Sequence, residues 1–212
     1  ERSIFVDNVA EARPTYGKIS STFVFRDEKR GNVTNFVRNC LVANNLNKNG
    51  LSGAGMYVAS AMIEYCTVVS NLCTWGEASS SSEQAVGIDG SGTVRNTIAF
   101  GNGYIDADNP NINPRNNFLN LRNTFDEATY YSLIAPPKGD SFRFNYLAQN
   151  HNLSMDADPR FVDPANGDWT LQRKSPCRGT GEISESGWER ESTDLASRPR
   201  ARGDMVSMGC YE

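Results

Sequence analysis

The feature that most constrains this chain is an internal repeat in its first half. Three segments align without gaps: NCLVANN from Asn39, YCTVVSN from Tyr65 and NTIAFGN from Asn96. A repeat of roughly 20–50 residues is usually one supersecondary unit that cannot bury its apolar face alone and must stack on its neighbours. The repeat therefore favours a solenoid, whose narrow continuous core also suits a chain with only 38% hydrophobic residues.

The local pattern within each repeat indicates strands. β-Branched and aromatic residues alternate with polar ones between Gly, Asn and Ser turns, and no helical period is sustained. We predict three short strands per repeat, at 55–58, 61–64 and 66–69. A second register aligns Val24, Met56 and Ile88 as inward-facing residues. The prediction is an all-β fold built from three-strand coils.

Each aligned segment ends on an asparagine. The chain has 22 Asn, and Asn45, Asn71 and Asn102 occupy the same place in the repeat. Stacked Asn side chains can bond to one another from strand to strand, as they do in ladders of stacked β structure. The alternative is that Asn simply favours turns. The shared position favours a ladder.

Charge and histidine content exclude several function classes. The 21 basic and 25 acidic residues give a net charge of −4, which provides no electrostatic footprint for nucleic acid. No run approaches the roughly 18 apolar residues that span a bilayer, so we expect no membrane insertion. The single histidine, His151, excludes mechanisms that need two, and we assign it to a surface loop. The five cysteines lack metal-site spacing.

The end of the chain carries a second pattern. It reads DADPRFVDPANGDWTLQRKSPCRGTG from Asp156 and DLASRPRARGDMVSMGCYE from Asp194. It resembles the C-terminal module of bacterial exported right-handed parallel β-helix proteins of the pectate-lyase-like fold. That module has the pattern Asp-Pro-x-Phe-x-Asp-Pro, Gly-Asp-aromatic-x-Leu, Ser-Pro and Gly-x-Tyr-Glu, and it usually precedes a surface anchor. The resemblance implies an extracellular or cell-surface protein.

Together, the repeat and the resemblance predict a right-handed parallel β-helix with an irregular C-terminal capping module. Residues 1–30 form a lead-in and first coil strand, 31–144 form coils with long loops, and 145–212 form the module. We expect the module to cover the last coil, because an open solenoid end exposes strand edges and core. The residues expected to pack there are Phe161, Trp169, Leu171 and Tyr211.

The cysteines leave two interpretations open. Cys177 and Cys210 stand where the family usually has small apolar residues, which suggests either a disulfide or two separate buried thiols. Cys40 and Cys66 occupy the same place in adjacent coils. Buried cysteine behaves as a small hydrophobe, so we interpret that pair as stacked free thiols.

Candidate ligand-binding residues lie on the first strand of the repeat. In the register above, Phe25, Tyr57 and Asp89 alternate with the inward residues and should face outward. An aromatic ring beside a carboxylate could stack a sugar ring and accept its hydroxyl groups. The alternative is an ordinary solvated sheet face. No catalytic residue can be assigned from sequence.

Two acidic pairs are candidate metal ligands. Asp106 with Asp108, and Asp156 with Asp158, could supply oxygen ligands to calcium, although neither matches an EF-hand. Asp158 also falls in the module pattern, where capping a turn is a sufficient role. We therefore expect no cofactor, with calcium as the alternative.

Three functions remain open at this point. The first is a non-catalytic exported or cell-surface domain, structural or presenting loops to a polysaccharide or a surface protein. The second is a carbohydrate-active enzyme, a polysaccharide lyase or glycoside hydrolase, or the C-terminal part of one. The third is an assembly unit that self-associates end to end through its solenoid ends.

Overall fold

The computed structural model describes residues 1–11, 23–26, 35–48, 55–75, 86–106, 129–134, 150–153 and 157–212. The regular structure within these ranges is β-strand, apart from two short 3-10 segments at Pro164–Asn166 and Trp188–Arg190. The all-β prediction is confirmed for this part of the chain. None of the described residues belongs to a helix long and apolar enough to cross a membrane.

Fourteen of the described strands form three parallel sheets. The first sheet contains β1 (Ile4–Val6), β5 (Leu41–Ala43), β8 (Thr67–Val69), β11 (Ile98–Phe100) and β14 (Leu133–Ile134). The second contains β2 (Val9–Glu11), β6 (Leu46–Lys48), β9 (Leu72–Trp75) and β12 (Gly103–Asp106). The third contains β3 (Phe23–Arg26), β4 (Asn35–Arg38), β7 (Met56–Glu64), β10 (Ile88–Arg95) and β13 (Thr129–Tyr130). Along the chain the strands enter the first, second and third sheets in turn.

The predicted strands within the repeat were partly wrong. The two at 55–58 and 61–64 belong to one strand, β7, which is interrupted at Ser60, a non-glycine residue with φ of 59°. The pairing with β10 shifts register there, so the chain carries a β-bulge. The sequence interpretation also missed β9, which follows Asn71 directly.

A left-handed residue stands before each of the five strands of the first sheet, and a sixth stands before Leu153, which forms an isolated bridge with Leu133. We call this set the corner row. It consists of Arg2, Asn39, Tyr65, Asn96, Tyr131 and His151, with φ between 45° and 59°. Residues other than glycine seldom adopt this backbone conformation unless the surrounding structure imposes it. The recurrence of the same turn places these six side chains at equivalent positions along one corner of the stacked strands.

The inner core lies between the sheets. Val42, Val68 and Ala99, the middle residues of three neighbouring first-sheet strands, pack there with Met56 and Ile88. Met56 and Ile88 pair as predicted.

The predicted register of β3 was wrong by one residue. Val24 pairs with Tyr57, and Phe23 pairs with Met56. Phe25 therefore packs against the inner core and does not face outward. The error arose because the offset between β3 and β7 is one residue longer than the offset between Met56 and Ile88.

The module formed by residues 157–212 contains two antiparallel hairpins. These are β15 (Phe161–Asp163) with β16 (Asp168–Leu171), and β17 (Ala201–Arg202) with β18 (Met205–Val206). The module covers the outer face of the first sheet, where Leu41, Val69, Ile98 and Leu133 form a second apolar core with Phe161, Trp169, Leu171, Cys177, Met208 and Cys210.

The described module lies beside the first sheet, and the expectation that it covers the last coil stays a prediction. The module bonds to corner-row residues from Arg2 to Asn96, so it runs along the side of the stacked strands. The first sheet has apolar residues on both faces, and burying its second face requires such a lateral cover. Contact is close at Gly209 (φ 83°), where an added Cβ would lie 2.7 Å from Thr67 Oγ1.

Candidate functional site: a cleft between the first sheet and the module

The three predicted ladder asparagines are brought together in the structure. Asn71 Oδ1 accepts bonds from Asn45 Nδ2 (2.8 Å) and Asn45 N (3.1 Å), and Asn102 Oδ1 accepts the same pair from Asn71, at 2.8 and 3.0 Å. The ladder has a further member that sequence reasoning missed: Asn8, whose Nδ2 donates to Asn45 Oδ1 at 2.9 Å. Asn8 lies 37 residues before Asn45, a longer interval than the other two.

A second ladder, also missed, follows the corner row. Cys66 N donates to Thr97 Oγ1 (3.3 Å), Thr97 N to Ser132 Oγ (3.1 Å) and Ser132 N to Asn152 Oδ1 (2.8 Å). The three accepting side chains are of three different types, so no repeated letter in the sequence marks this ladder. Leu153 also pairs in parallel with Leu133, so residues 150–153 continue the stacked pattern inside the range assigned to the module.

Corner-row side chains hold the module through buried polar groups. Tyr65 OH donates to Glu189 Oε1 at 2.9 Å, and Asn96 Nδ2 donates to the Glu182 carbonyl at 2.8 Å. Asn39 accepts a bond from Arg200, which is fully buried and lies over the Tyr65 ring at 4.5 Å. These contacts join the module to three neighbouring members of the corner row.

A row of charges on the third sheet extends this interface. Glu64, only 1% exposed, lies between Arg38 (Nε to Oε2, 2.6 Å) and Arg95 (Nε to Oε1, 3.2 Å) on neighbouring strands. Arg95 also reaches Glu189 at 3.1 Å, and the Arg38 guanidinium packs over the Trp188 ring at 4.4 Å. The charges are thereby paired within the protein.

The pKa values of two buried carboxyl groups at the interface, Glu189 and Glu212, are shifted in opposite directions. Burial acts to raise the pKa of Glu189, but hydrogen bonds from Ser184, from its own backbone and from Tyr65 together lower it. Burial raises the pKa of Glu212, against hydrogen bonds from Ser207 and the charge of Arg200. Both carboxyl groups are thus bound by neighbouring groups of the protein at this interface.

A cleft of about 470 Å³ opens where the first sheet meets the module. Its volume falls within the range of small-ligand sites. It is lined by Ser70, Phe100 and Gly101 from the sheet side and by Asp158, Arg160, Phe161, Pro164, Trp169 and Gln172 from the module. The rings of Phe161 and Trp169 meet edge to face at 5.2 Å and are nearly buried, so they form the floor, whereas the ring of Phe100 is half-buried.

The polar groups that the module contributes to the cleft come from one turn and one strand end. Asp158 Oδ1 accepts the backbone N–H of Arg160 at 2.8 Å, which caps the turn, and Arg160 has φ of 52°. Gln172 Nε2 donates to the Phe161 carbonyl at 2.8 Å. Asp158 and Arg160 are both exposed. The cleft thus combines an aromatic floor with an exposed carboxylate and an exposed guanidinium.

The predicted aromatic and carboxylate pair on the third sheet is differently placed. Tyr57 and Asp89 are adjacent in register, as the sequence indicated. Asp89, however, is 1% exposed, and its Oδ1 accepts the N–H of Gly90 at 2.7 Å. The carboxylate therefore bonds within the protein, and the expectation that it faces solvent is corrected.

The acidic pairs proposed for calcium are incompletely described. Asp108 and Asp156 lie outside the described residues, and of Asp106 only the backbone is described. Asp158 caps a turn in the cleft. Among the described residues, no group of three or more His, Cys, Asp or Glu side chains is arranged to hold a metal ion.

Cys177 and Cys210 are free buried thiols in the structure, which corresponds to the second of the two interpretations that the sequence left open. Each sulfur has its own hydroxyl partner, Ser175 for Cys177 and Thr67 for Cys210. Burial raises the pKa of both thiols to about 12.

Leu171 and Tyr211, which were also expected to pack in the module, lie in the second apolar core with Phe161 and Trp169.

Comparisons with protein-family models, with curated proteins and with solved structures gave no match to this chain. The resemblance to exported β-helix proteins therefore stays a prediction.

Proposed function

We propose that this protein is a non-catalytic, exported or cell-surface domain that binds a glycan in the cleft beside its C-terminal module. We further propose that its three parallel sheets are the faces of a right-handed β-helix. The cyclic order in which the chain enters the sheets, the recurring corner-row turn and the Asn ladder support this architecture. The exported location rests on the module pattern.

The observation that carries the binding proposal is the composition of the cleft. Sugars are bound by packing of their C–H faces on aromatic rings and by hydrogen bonds to charged and amide side chains. Phe100 offers a half-buried ring at the sheet side, with Asp158 and Arg160 exposed at the module side. The two charges are opposite, so a neutral glycan segment fits this site better than a polyanion.

The enzyme alternative is less well supported by the same site. Glycoside hydrolysis generally uses two carboxyl groups that face one another across about 5–9.5 Å. Among the described residues that line the cleft, Asp158 is the one carboxylate. The second proposal is therefore a carbohydrate-active enzyme, or the C-terminal part of one.

End-to-end assembly is favoured by a different observation. Ile4 and Val9 are 57% and 62% exposed, and they lie on β1 and β2, the outermost strands of the first and second sheets as described. Edge strands with exposed apolar side chains can pair with another chain. A mass that rises with protein concentration would support this function, and a constant monomeric mass would count against it.

The test of the glycan proposal is a binding panel of neutral and acidic polysaccharides, with and without calcium, using affinity electrophoresis and calorimetry. Arg160→Ala and Phe100→Ala should each weaken binding of the retained glycan by at least about tenfold, the effect of one lost 1.4 kcal/mol contact. Arg190→Ala, whose exposed side chain bonds to Asp204 and not to the cleft, is the matched control.

Three outcomes would overturn parts of the proposal. New reducing ends or unsaturated uronate absorbance would establish the enzyme instead. Glycan retention that neither cleft substitution changes would place binding elsewhere. Retention of no polysaccharide in the panel would leave a structural or assembly role.

A further inference from the structure

Two of the free thiols lie side by side in the inner core. Cys40 and Cys66 directly follow the corner row and precede the neighbouring parallel strands β5 and β8. Thr67 N donates to the Cys40 carbonyl at 2.9 Å, which places the two residues opposite one another. Cys66 Sγ lies 3.5 Å from the Val37 carbonyl, so it reaches across to the chain segment that carries Cys40.

This arrangement satisfies the basic requirement of a disulfide. Neighbouring strands lie about 4.8 Å apart, and disulfides form between Cα atoms separated by roughly 4.4–6.8 Å. The two side chains enter the same apolar core. No large backbone movement is needed to join them.

The two thiols differ in reactivity. The hydrogen bond from Cys66 lowers the pKa of Cys40 to about 7, whereas burial raises the pKa of Cys66 well above its ordinary value. Burial likewise raises the pKa of Cys177 and Cys210 to about 12. Thiolate is the nucleophile in disulfide exchange, so the lowered pKa favours Cys40, among these four thiols, as the attacking group.

Cys40 lies beside the described edge of the first sheet. Cys40 is 2% exposed, and its thiol accepts a hydrogen bond from the backbone of Ser3. Ser3 precedes β1, the outermost described strand of the first sheet, and the adjacent Glu1 and Arg2 are exposed. Segments at a sheet edge open at lower free energy than the core does.

We propose that Cys40 and Cys66 are a modification site, at which a low-molecular-weight disulfide converts the two thiols into a reversible bond between neighbouring strands. The Cys40 thiolate attacks one sulfur of the small disulfide, whose S–S bond breaks and whose other sulfur leaves as a thiolate. Cys66 loses its proton to that thiolate and attacks the Cys40 sulfur, expelling the second small thiol. Two protein thiols are oxidised, and one small disulfide is reduced to two thiols.

The test equilibrates the folded chain with oxidised and reduced glutathione at pH 8, followed by acid quench, thiol counting and peptide mapping. We expect two of the five thiols to be lost. The mass should fall by two hydrogen atoms, with a peptide pair joined through Cys40 and Cys66. Reduction should restore all thiols, and the oxidised chain should melt at a higher temperature, because the bond restricts the unfolded chain.

Variants separate this mechanism from general oxidation. Cys66→Ser should stop at a glutathione adduct on Cys40, Cys40→Ser should abolish the loss of thiols in the folded chain, and Cys177→Ser should behave as wild type. Circular dichroism checks that each variant is folded. Retention of all five thiols by the folded wild type, or a bond that joins Cys66 to Cys210, would overturn the proposal.

Discussion

The parallel sheets and the C-terminal module are stabilised by different means. In the sheets, the same contact recurs from strand to strand: an Asn above an Asn, a valine or alanine above another, and a left-handed corner residue before each first-sheet strand. In the module, the contacts are single and long-range. Arg200, Glu189 and Asp194 are buried there, and each has different partners.

This difference predicts how strongly a substitution in each region destabilises the protein. A stack of repeated units distributes stability over nearest-neighbour contacts, so one altered contact is felt mainly by its neighbours. A buried charge depends on one geometry, and removal of its partner leaves it uncompensated. Substitutions in the module should therefore affect stability more than substitutions in the ladder.

The largest effects are expected in the module. Trp169 is 5% exposed, and it packs in the second apolar core against Phe161. Trp169→Ala should lower the free energy of unfolding by about 3–5 kcal/mol and promote aggregation by exposing the outer face of the first sheet. Urea unfolding and size-exclusion chromatography check this. The control Val162→Ala, 49% exposed in the same hairpin, should change it by less than about 0.5 kcal/mol. An unchanged monodisperse Trp169→Ala protein would contradict the comparison.

Removal of the buried guanidinium should have a similar effect. Arg200 is fully buried, and it bonds to Asn39, to the Gly209 carbonyl and to Glu212. Arg200→Ala should cost about 3–5 kcal/mol, because Glu212 would remain buried without its cation. The exposed pair Arg190–Asp204 provides the contrast, and Arg190→Ala should cost about 0–1 kcal/mol. Equal losses in the two variants, measured by denaturant unfolding, would show that burial does not matter at this interface.

A ladder substitution should have a smaller effect. Asn71→Ala removes the acceptor of two Asn45 donors and the donors to Asn102 and the Val42 carbonyl. We expect a loss of about 2–3 kcal/mol from buried groups left unpaired, against about 0.5–1.5 kcal/mol for Asn8→Ala at the exposed end. Thermal unfolding of both variants measures the difference. A larger loss at Asn8 would mean that the ladder depends on its end and not on its centre.

The smallest effect concerns pH. The pKa of Glu189 lies below its ordinary value of 4.5, so the folded state binds fewer protons than the unfolded state. Its contribution is present above pH 4.5 and is lost as the pH falls through the folded pKa. Glu189→Gln should therefore flatten the decline in unfolding free energy below pH 4.5. The raised pKa of Glu212 has the opposite sign, and its contribution falls as the pH rises above 4.5. A Glu189→Gln curve parallel to wild type in acid would contradict the assignment.

The sequence predicted the features that depend on local pattern. Alternation of apolar and polar residues predicted strands, and the shared position at the end of each aligned segment predicted that Asn45, Asn71 and Asn102 lie above one another. The interval of 37 residues hid Asn8, because long connections interrupt a repeat without interrupting the stack. The sequence interpretation divided β7 into two strands. The cause is the bulge at Ser60, whose positive φ interrupts the regular strand pattern.

The candidate cleft could not be predicted in the same way. Phe100 and the segment from Asp158 to Gln172 are far apart in sequence, and no periodic pattern relates them. Sequence reasoning named Asp158, Phe161 and Trp169 for separate reasons, a turn or a metal for the first and packing for the others. Only the docking of the module on the first sheet places them around one cavity.

The sequence by itself determined that the repeat forms β-strands, that the three asparagines stack and which apolar residues of the module are buried. These features follow from local backbone preference and side-chain alternation. The tertiary structure alone decided that the module lies along the side of the sheets, that Asp89 is buried and that Cys177 and Cys210 are free buried thiols. The reason is physical: burial and pairing of a side chain depend on what distant chain segments bring to it. A strand such as β8, apolar on both faces, shows that a second cover is needed without showing which segment supplies it.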